Sequence, residues 1–192
     1  DETAGSFAAW VEANASSLPE HCAIVFEEQE INWREFNGLA NQYANHLKSR
    51  GINRGDCVSL MMDNRIEFLA LIVALNKIGA IGGLINNNLT GRQLAHCISV
   101  THSRLCIFGA EVADAVNSVR SDLPLAEGDD YYVVPDGDHR TSLNWAQDLP
   151  AQSAHASDEN PEDSANNTIG ETALYIFTSG TTGLPKAALT SN

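Results

Sequence analysis

A chain of 192 residues, 43% hydrophobic and 19% charged, is long enough for one domain with a sizeable core. That composition excludes a disordered, collagen-like or low-complexity segment. Eleven Lys and Arg against 25 Asp and Glu leave a net charge of -14, which speaks against a nucleic-acid scaffold, so no nucleic-acid partner is expected.

The charge is uneven. Residues 111–172 hold 14 acidic and 2 basic residues, a pattern that reads as a solvated face with loops rather than an acidic docking surface. No signal-peptide pattern opens the chain. Cys22, Cys57, Cys97 and Cys106 include no Cys-x-x-Cys pair, which predicts reduced thiols and a cytoplasmic setting. His96, Cys97, His102 and Cys106 cluster, but their spacing fits no ordinary zinc pattern, so packing is expected and no metal site.

A helix is predicted over Ser6–Ser17, with Phe7, Trp10 and Val11 on one side and Pro19 as its stop. His21–Phe26 reads as a strand, Glu27–Glu30 as a polar turn, and Ile31 as the start of a return. Asn32 and Glu35 form a capping-box pattern. Phe36, Leu39, Ala40, Tyr43, Ala44 and Leu47 follow at helical spacing, closed by Gly51. Cys57–Met62 is an apolar strand, expected to be covered on both faces.

Asn64 and Glu67 repeat the capping pattern before a helix over 65–78, with Gly79 at its C-terminal cap. Ala80–Ile85 is another strand, which makes a βαβ unit. The apolar run from Ile66 to Ile85 has the length of a membrane span. It carries Glu67 and Lys77, however, and a charge within a span costs roughly 2.5–3.5 kcal/mol. A buried helix followed by a buried strand accounts for the run better.

Thr90 and Gln93 form a third capping pattern for a helix over 91–100. Arg104–Phe108 is a strand, 110–119 a short helix, Tyr131–Val134 a strand, and Leu143–Leu149 a helical turn. From Pro150 to Glu171 the polar composition predicts a loop or linker. Ala173–Phe177 is a final core strand. The alternation predicts an α/β layered domain with a mixed or mainly parallel sheet and flanking helices.

Directly after that last strand comes Thr178-Ser179-Gly180-Thr181-Thr182-Gly183-Leu184-Pro185-Lys186. Glycines let the backbone approach an oxyanion, and successive N–H groups form a concave donor site. Thr178, Ser179, Thr181 and Thr182 add hydroxyl donors, and Lys186 adds a mobile positive charge. The natural ligand of such a loop is a polyphosphate. It is not a Walker A loop, because no hydroxyl follows the lysine. Pro185 pushes Leu184 towards an extended conformation, and Ala187–Thr190 reads as extended. The loop should therefore lie between two extended segments rather than cap a helix.

YIFTSGTTGLPK (Tyr175–Lys186) closely resembles the phosphate-binding signature of the adenylate-forming, AMP-binding superfamily. Ile31–Leu60 and Asn76–Ile98 resemble two further segments of that family. Asn86, Asn88, Leu94, His96 and Cys97, with ALYIFTSGTTGLPKAA, look most like the very-long-chain acyl-CoA synthetase or fatty-acid-transport-protein branch. The resemblance covers about residues 20–192 and is weak from 111 to 172.

The resemblance implies an ATP-dependent fatty acid–CoA ligase acting through an acyl-adenylate, with ATP, Mg²⁺ and coenzyme A, on a fatty acid or related carboxylate. Thr178, Ser179, Gly180, Thr181, Thr182, Gly183 and Lys186 would be its phosphate-loop residues. Asn192 stands where many members carry a histidine. Residues 1–172 would form an N-terminal α/β subdomain (150–171 a polar linker), and residues 173–192 a strand, the loop and the start of the next strand. The family's other ATP-binding and adenylation residues lie downstream, so no catalytic residue is expected within 1–192, and the chain alone is expected to be inactive. Three alternatives stay open: a crotonobetaine- or carnitine-type CoA ligase, a ligase for another carboxylate, and a non-catalytic nucleotide-binding or scaffold domain. Peripheral membrane association of the whole protein and its oligomeric state also stay open.

Overall fold

The computed structural model of the chain describes residues 5–136, 143–162, 164–168, 170–178 and 184–192. Helix α1 (Phe7–Ser17) precedes a two-stranded antiparallel hairpin, β1 (Cys22–Phe26) and β2 (Gln29–Asn32), turned at Glu27 with φ +55°. Then follow α2 (Trp33–Ser49), β3 (Cys57–Met61), α3 (Ile66–Lys77), β4 (Ile81–Leu84), α4 (Gly91–Val100), β5 (Leu105–Gly109), α5 (Ala113–Val119) and β6 (Tyr131–Val134). The short β7 (Gln147–Asp148) and α6 (Leu149–Ser153) lead to β8 (Thr172–Thr178) and β9 (Lys186–Ser191).

Seven strands form one sheet in the order β7-β6-β5-β3-β4-β8-β9, parallel except for the antiparallel β8–β9 pair. The expected mixed, mainly parallel α/β architecture is therefore observed. The chain moves outward from β3 to β4, then crosses back over β3 to β5. Right-handed crossovers that reverse direction place their helices on opposite faces. The core follows that rule. Val58, Leu60, Leu105, Ile107, Tyr132 and Val134 pack towards α2 and α3. Cys106, Phe108, Tyr131 and Val133 pack towards α4 and α5. Strand residues alternate in their side of the sheet, and here both sides are covered, so β3, β5 and β6 are buried throughout.

The apolar run Ile66–Ile85 is α3 followed by β4. Among the described residues no helix is long and apolar enough to cross a membrane. Gly79 ends α3 with φ +69°, and a Cβ there would stand 2.9 Å from the Arg54 guanidinium carbon.

Four expectations need correction. The buried face of α1 is Ala8 and Val11, while Phe7 and Trp10 are 40% and 54% exposed. Trp10 lies instead edge-on to Trp33, with ring centroids 5.0 Å apart. The Asn32–Glu35 capping box forms reciprocally, but its two repeats do not. The cap of α3 is Arg65 rather than Asn64, and neither Arg65 nor Thr90 makes a side-chain cap bond. The helix expected over Leu143–Leu149 begins only at Leu149, because Gln147–Asp148 pair with Tyr132–Val133 as β7.

The fourth correction concerns the stretch expected as a loop or linker from Pro150: residues 150–153 are helical in α6, and 154–162 are a loop as expected but docked on α2. Asn37, Asn41 and Asn45 are spaced four apart on one face of α2. Asn41 Nδ2 donates to the Asp158 carbonyl at 2.7 Å, and Asn45 Nδ2 to those of Ser157 and Glu159 at 2.9 and 3.0 Å. The Asn160 side-chain oxygen accepts from Asn37, Asn41 and the buried Lys77. Lys77 also pairs with Glu12 at 2.5 Å. Further on, Glu171 pairs with Arg54 at 2.6 Å. The strap is polar because it docks on polar side chains.

Candidate functional site

Strands that run parallel end on the same edge. β3, β4, β5 and β8 therefore deliver their following loops to one rim. The centre of that rim is the switch point between β3 and β5, where the chain reverses its direction of travel. In open α/β sheets, ligands bind in the crevice outside such carboxyl ends.

The loops at the switch point are tied together by Arg65, which is 9% exposed. Its guanidinium lies 2.7 Å from Glu111 and donates to the Pro135 carbonyl at 3.3 Å. The Asp63 amide donates to the same Glu111 carboxylate at 2.7 Å. Glu111 folds back over Gly109, where any Cβ would collide with its carboxylate. Sequence reasoning treated Arg65 only as the start of a helix. The tie links residues 46 positions apart, which local pattern does not reveal.

β8 and β9 flank the glycine- and threonine-rich loop. Their antiparallel register closes with Thr178 opposite Lys186, so the loop leaves one extended strand and enters another, as Pro185 predicted. Ser179, Gly180, Thr181, Thr182 and Gly183 lie outside the described residues. Of the seven expected loop residues, Thr178 and Lys186 are thus placed, and they face each other at its two ends. Thr178 Oγ1 donates to the Lys186 carbonyl over 3.5 Å. Both side chains are exposed. A hydroxyl and an ammonium at the mouth of a donor-rich loop are suited to an anion.

The outer strands are less buried than the sequence suggested. β8 was expected in the core, but its Ile176 is 42% exposed, and Leu189 of the edge strand β9 is 68% exposed. The incoming stem is anchored by Phe177, which packs on the α4–α5 side. The outgoing stem meets α4 at His96, whose Nε2 lies 3.1 Å from the Pro185 carbonyl. Asn192 lies at the other end of β9, where its amide donates to the Glu171 carbonyl at 3.1 Å and its side chain to the Thr168 carbonyl at 3.0 Å.

The His/Cys cluster divides. Cys97 and Cys106 are fully buried in the apolar layer beneath α4 and α5. Burial pushes their thiols up to about 11 and about 12, so neither is a ready nucleophile or ligand. Among the described residues no three His, Cys, Asp or Glu side chains are grouped to hold a metal ion.

A model of the AMP-binding enzyme family matches residues 11–192. The chain belongs to the AMP-binding enzyme family. It is 30% identical over 175 residues to the medium/long-chain-fatty-acid–CoA ligase FadD6 of Mycobacterium tuberculosis, covering 91% of this chain and 27% of that protein. It is 32% identical over 187 residues to the mouse long-chain fatty acid transport protein 1, covering 93% of this chain and 28% of that protein. The chain thus spans little more than a quarter of these relatives. The anthranilate CoA ligase AuaEII, solved with anthranoyl-AMP, superposes with a TM-score of 0.85 at 22% identity, over 97% of this chain and 35% of that one. That last likeness establishes the fold.

Proposed function

We propose that this chain is the part of a fatty acid–CoA ligase that grips the phosphates of ATP, with Thr178, Ser179, Gly180, Thr181, Thr182, Gly183 and Lys186 as the gripping residues. The observation that carries the reading is the β8–β9 hairpin, which brings Thr178 and Lys186 to the rim shared by the parallel strands. The relatives that are fatty acid–CoA ligases and fatty acid transport proteins support the substrate class.

In the whole protein, the fatty acid carboxylate oxygen attacks the α-phosphorus of ATP, and pyrophosphate leaves. The sulfur of coenzyme A then attacks the acyl carbonyl carbon, and AMP leaves. The loop's part is to hold the β- and γ-phosphates in line and to stabilise charge that grows on the departing pyrophosphate. The Lys186 ammonium at the hairpin fits a phosphate directly, and the Thr178 hydroxyl does so once it turns from the Lys186 carbonyl. Mg²⁺ would arrive with ATP as a counter-ion to its phosphates. Residues 1–192 by themselves adenylate nothing on this reading.

The test is ATP–pyrophosphate exchange by the whole protein against short, medium and long fatty acids, crotonobetaine or carnitine, and several amino acids. Exchange driven by long-chain acids is expected. Exchange with another acid alone would keep the chemistry and replace the substrate. A folded protein that binds ATP and exchanges with no acid would point to a nucleotide-binding scaffold.

A further inference from the structure

Lys186 enters β9 through the peptide bond that follows Pro185, and that peptide is where the outgoing strand touches α4. His96 sits on α4, between Leu94 and the buried pair Cys97 and Ile98 that seat the helix on the sheet. Its Nε2 lies 3.1 Å from the Pro185 carbonyl oxygen. A carbonyl only accepts, so the imidazole donates from Nε2, as both the Nε2–H tautomer and the imidazolium can.

The Pro185 carbonyl and the Lys186 amide nitrogen belong to one planar unit. Holding the oxygen fixes the plane from which the Lys186 Cα departs. The pyrrolidine ring already restricts φ of Pro185 to about −65°, so little freedom is left before the lysine. On its other side, Thr178 Oγ1 reaches the Lys186 carbonyl and the β8–β9 register closes on the same residue. Lys186 is held at both of its peptide planes while its side chain stays exposed.

We infer that His96 is a positioning residue for Lys186: through the Pro185 carbonyl it aims the ammonium at the phosphates of ATP. The inference rests on the reading of the loop given above. Its mechanism is conformational. A loop stem free to rotate about one peptide plane would spread the ammonium over many directions, and the contact with a helix buried against the sheet removes the backbone's share of that spread.

The test is a mutant cycle in the whole protein, read as the KM for ATP and kcat in pyrophosphate exchange. His96→Ala should raise the KM for ATP roughly threefold to tenfold, the scale of one hydrogen bond, with the carboxylate KM and the unfolding midpoint little changed. His96→Gln, which keeps a donor near Nε2, should stay within about twofold of wild type. In a Lys186→Ala background, His96→Ala should add nothing, because residues that act through one another are not additive. A full His96→Ala effect in that background, or equal effects of Ala and Gln, would overturn the inference while leaving the ligase reading intact. A wild-type protein that exchanges with no acid would overturn the reading of the site and the inference with it.

Discussion

The inner strands β3, β5 and β6 and the outer hairpin β8–β9 belong to one sheet, yet they are held by different forces. The inner strands are covered on both faces, and Leu60, Ile107, Phe108 and Tyr132 have no exposed surface. Each of the apolar three, Leu60, Ile107 and Phe108, contributes about 1.5–3 kcal/mol on burial. The hairpin leaves Ile176 and Leu189 partly in water and is located by its register and by single polar contacts such as His96 to Pro185. A rigid platform thus carries a loop whose own support is light, which suits a segment that must receive and release a ligand.

The sharpest way to break that contrast is a pair of truncations. Ile107→Ala should cost about 2–5 kcal/mol of unfolding free energy in denaturant melts, since it opens a cavity between covered faces. Leu189→Ala should stay within about 0.5 kcal/mol. Equal costs would show that the hairpin is as tightly packed as the centre. Next in size is Lys77→Ala, which removes the charge shared by Glu12 of α1 and Asn160 of the strap. Removing one partner of a buried pair should cost about 3 kcal/mol, and proteolysis within 154–162 should quicken. Unchanged proteolysis would mean that the α2 asparagines hold the strap without the lysine.

Helix caps give a finer test. Asn32→Ala should cost about 1 kcal/mol because its side chain accepts from the Glu35 amide at 2.9 Å. Thr90→Ala should cost only a few tenths, because the Thr90 hydroxyl makes no cap bond. The smallest effect concerns His46, which burial and then the nearby Arg50 charge hold below the usual imidazole range. Its folded pKa lies below the unfolded value, so the unfolded chain takes the proton first as pH falls through about 6.5. Stability should therefore drop on acidification below that point, and His46→Gln should flatten that part of the stability profile. An identical profile in the variant would assign the acid sensitivity to other groups.

Much of the platform was legible in the sequence, because period and position determine it. The stripe from Phe36 to Leu47, the apolar strands and the glycine after α3 each follow from local geometry. The three look-alike capping patterns were not separable: the cap of α3 falls one residue past Asn64, and Thr90 does occupy the cap position of α4 but makes no side-chain bond there. Arg65, whose side chain pairs with Glu111 rather than capping, is the residue before α3. The docking of 154–162 is not visible in the polar composition that predicts a loop or linker over 150–171, because its partners, the α2 asparagines, lie more than 100 residues away in sequence. At the site, the loop chemistry and its two extended flanks were visible in TSGTTGLPK. The contact of His96 with Pro185 was not, because only the parallel pairing of β4 with β8 brings α4 to the hairpin.

Amide hydrogen exchange of the whole protein, with and without ATP, tests the central claim most directly. If the hairpin grips the phosphates, ATP should slow exchange in the peptides covering residues 174–191. The peptides of β3, β5 and β6, already protected by burial, should not change. Protection confined to other parts of the protein, with exchange at the β8–β9 hairpin unaltered by bound ATP, would contradict the account.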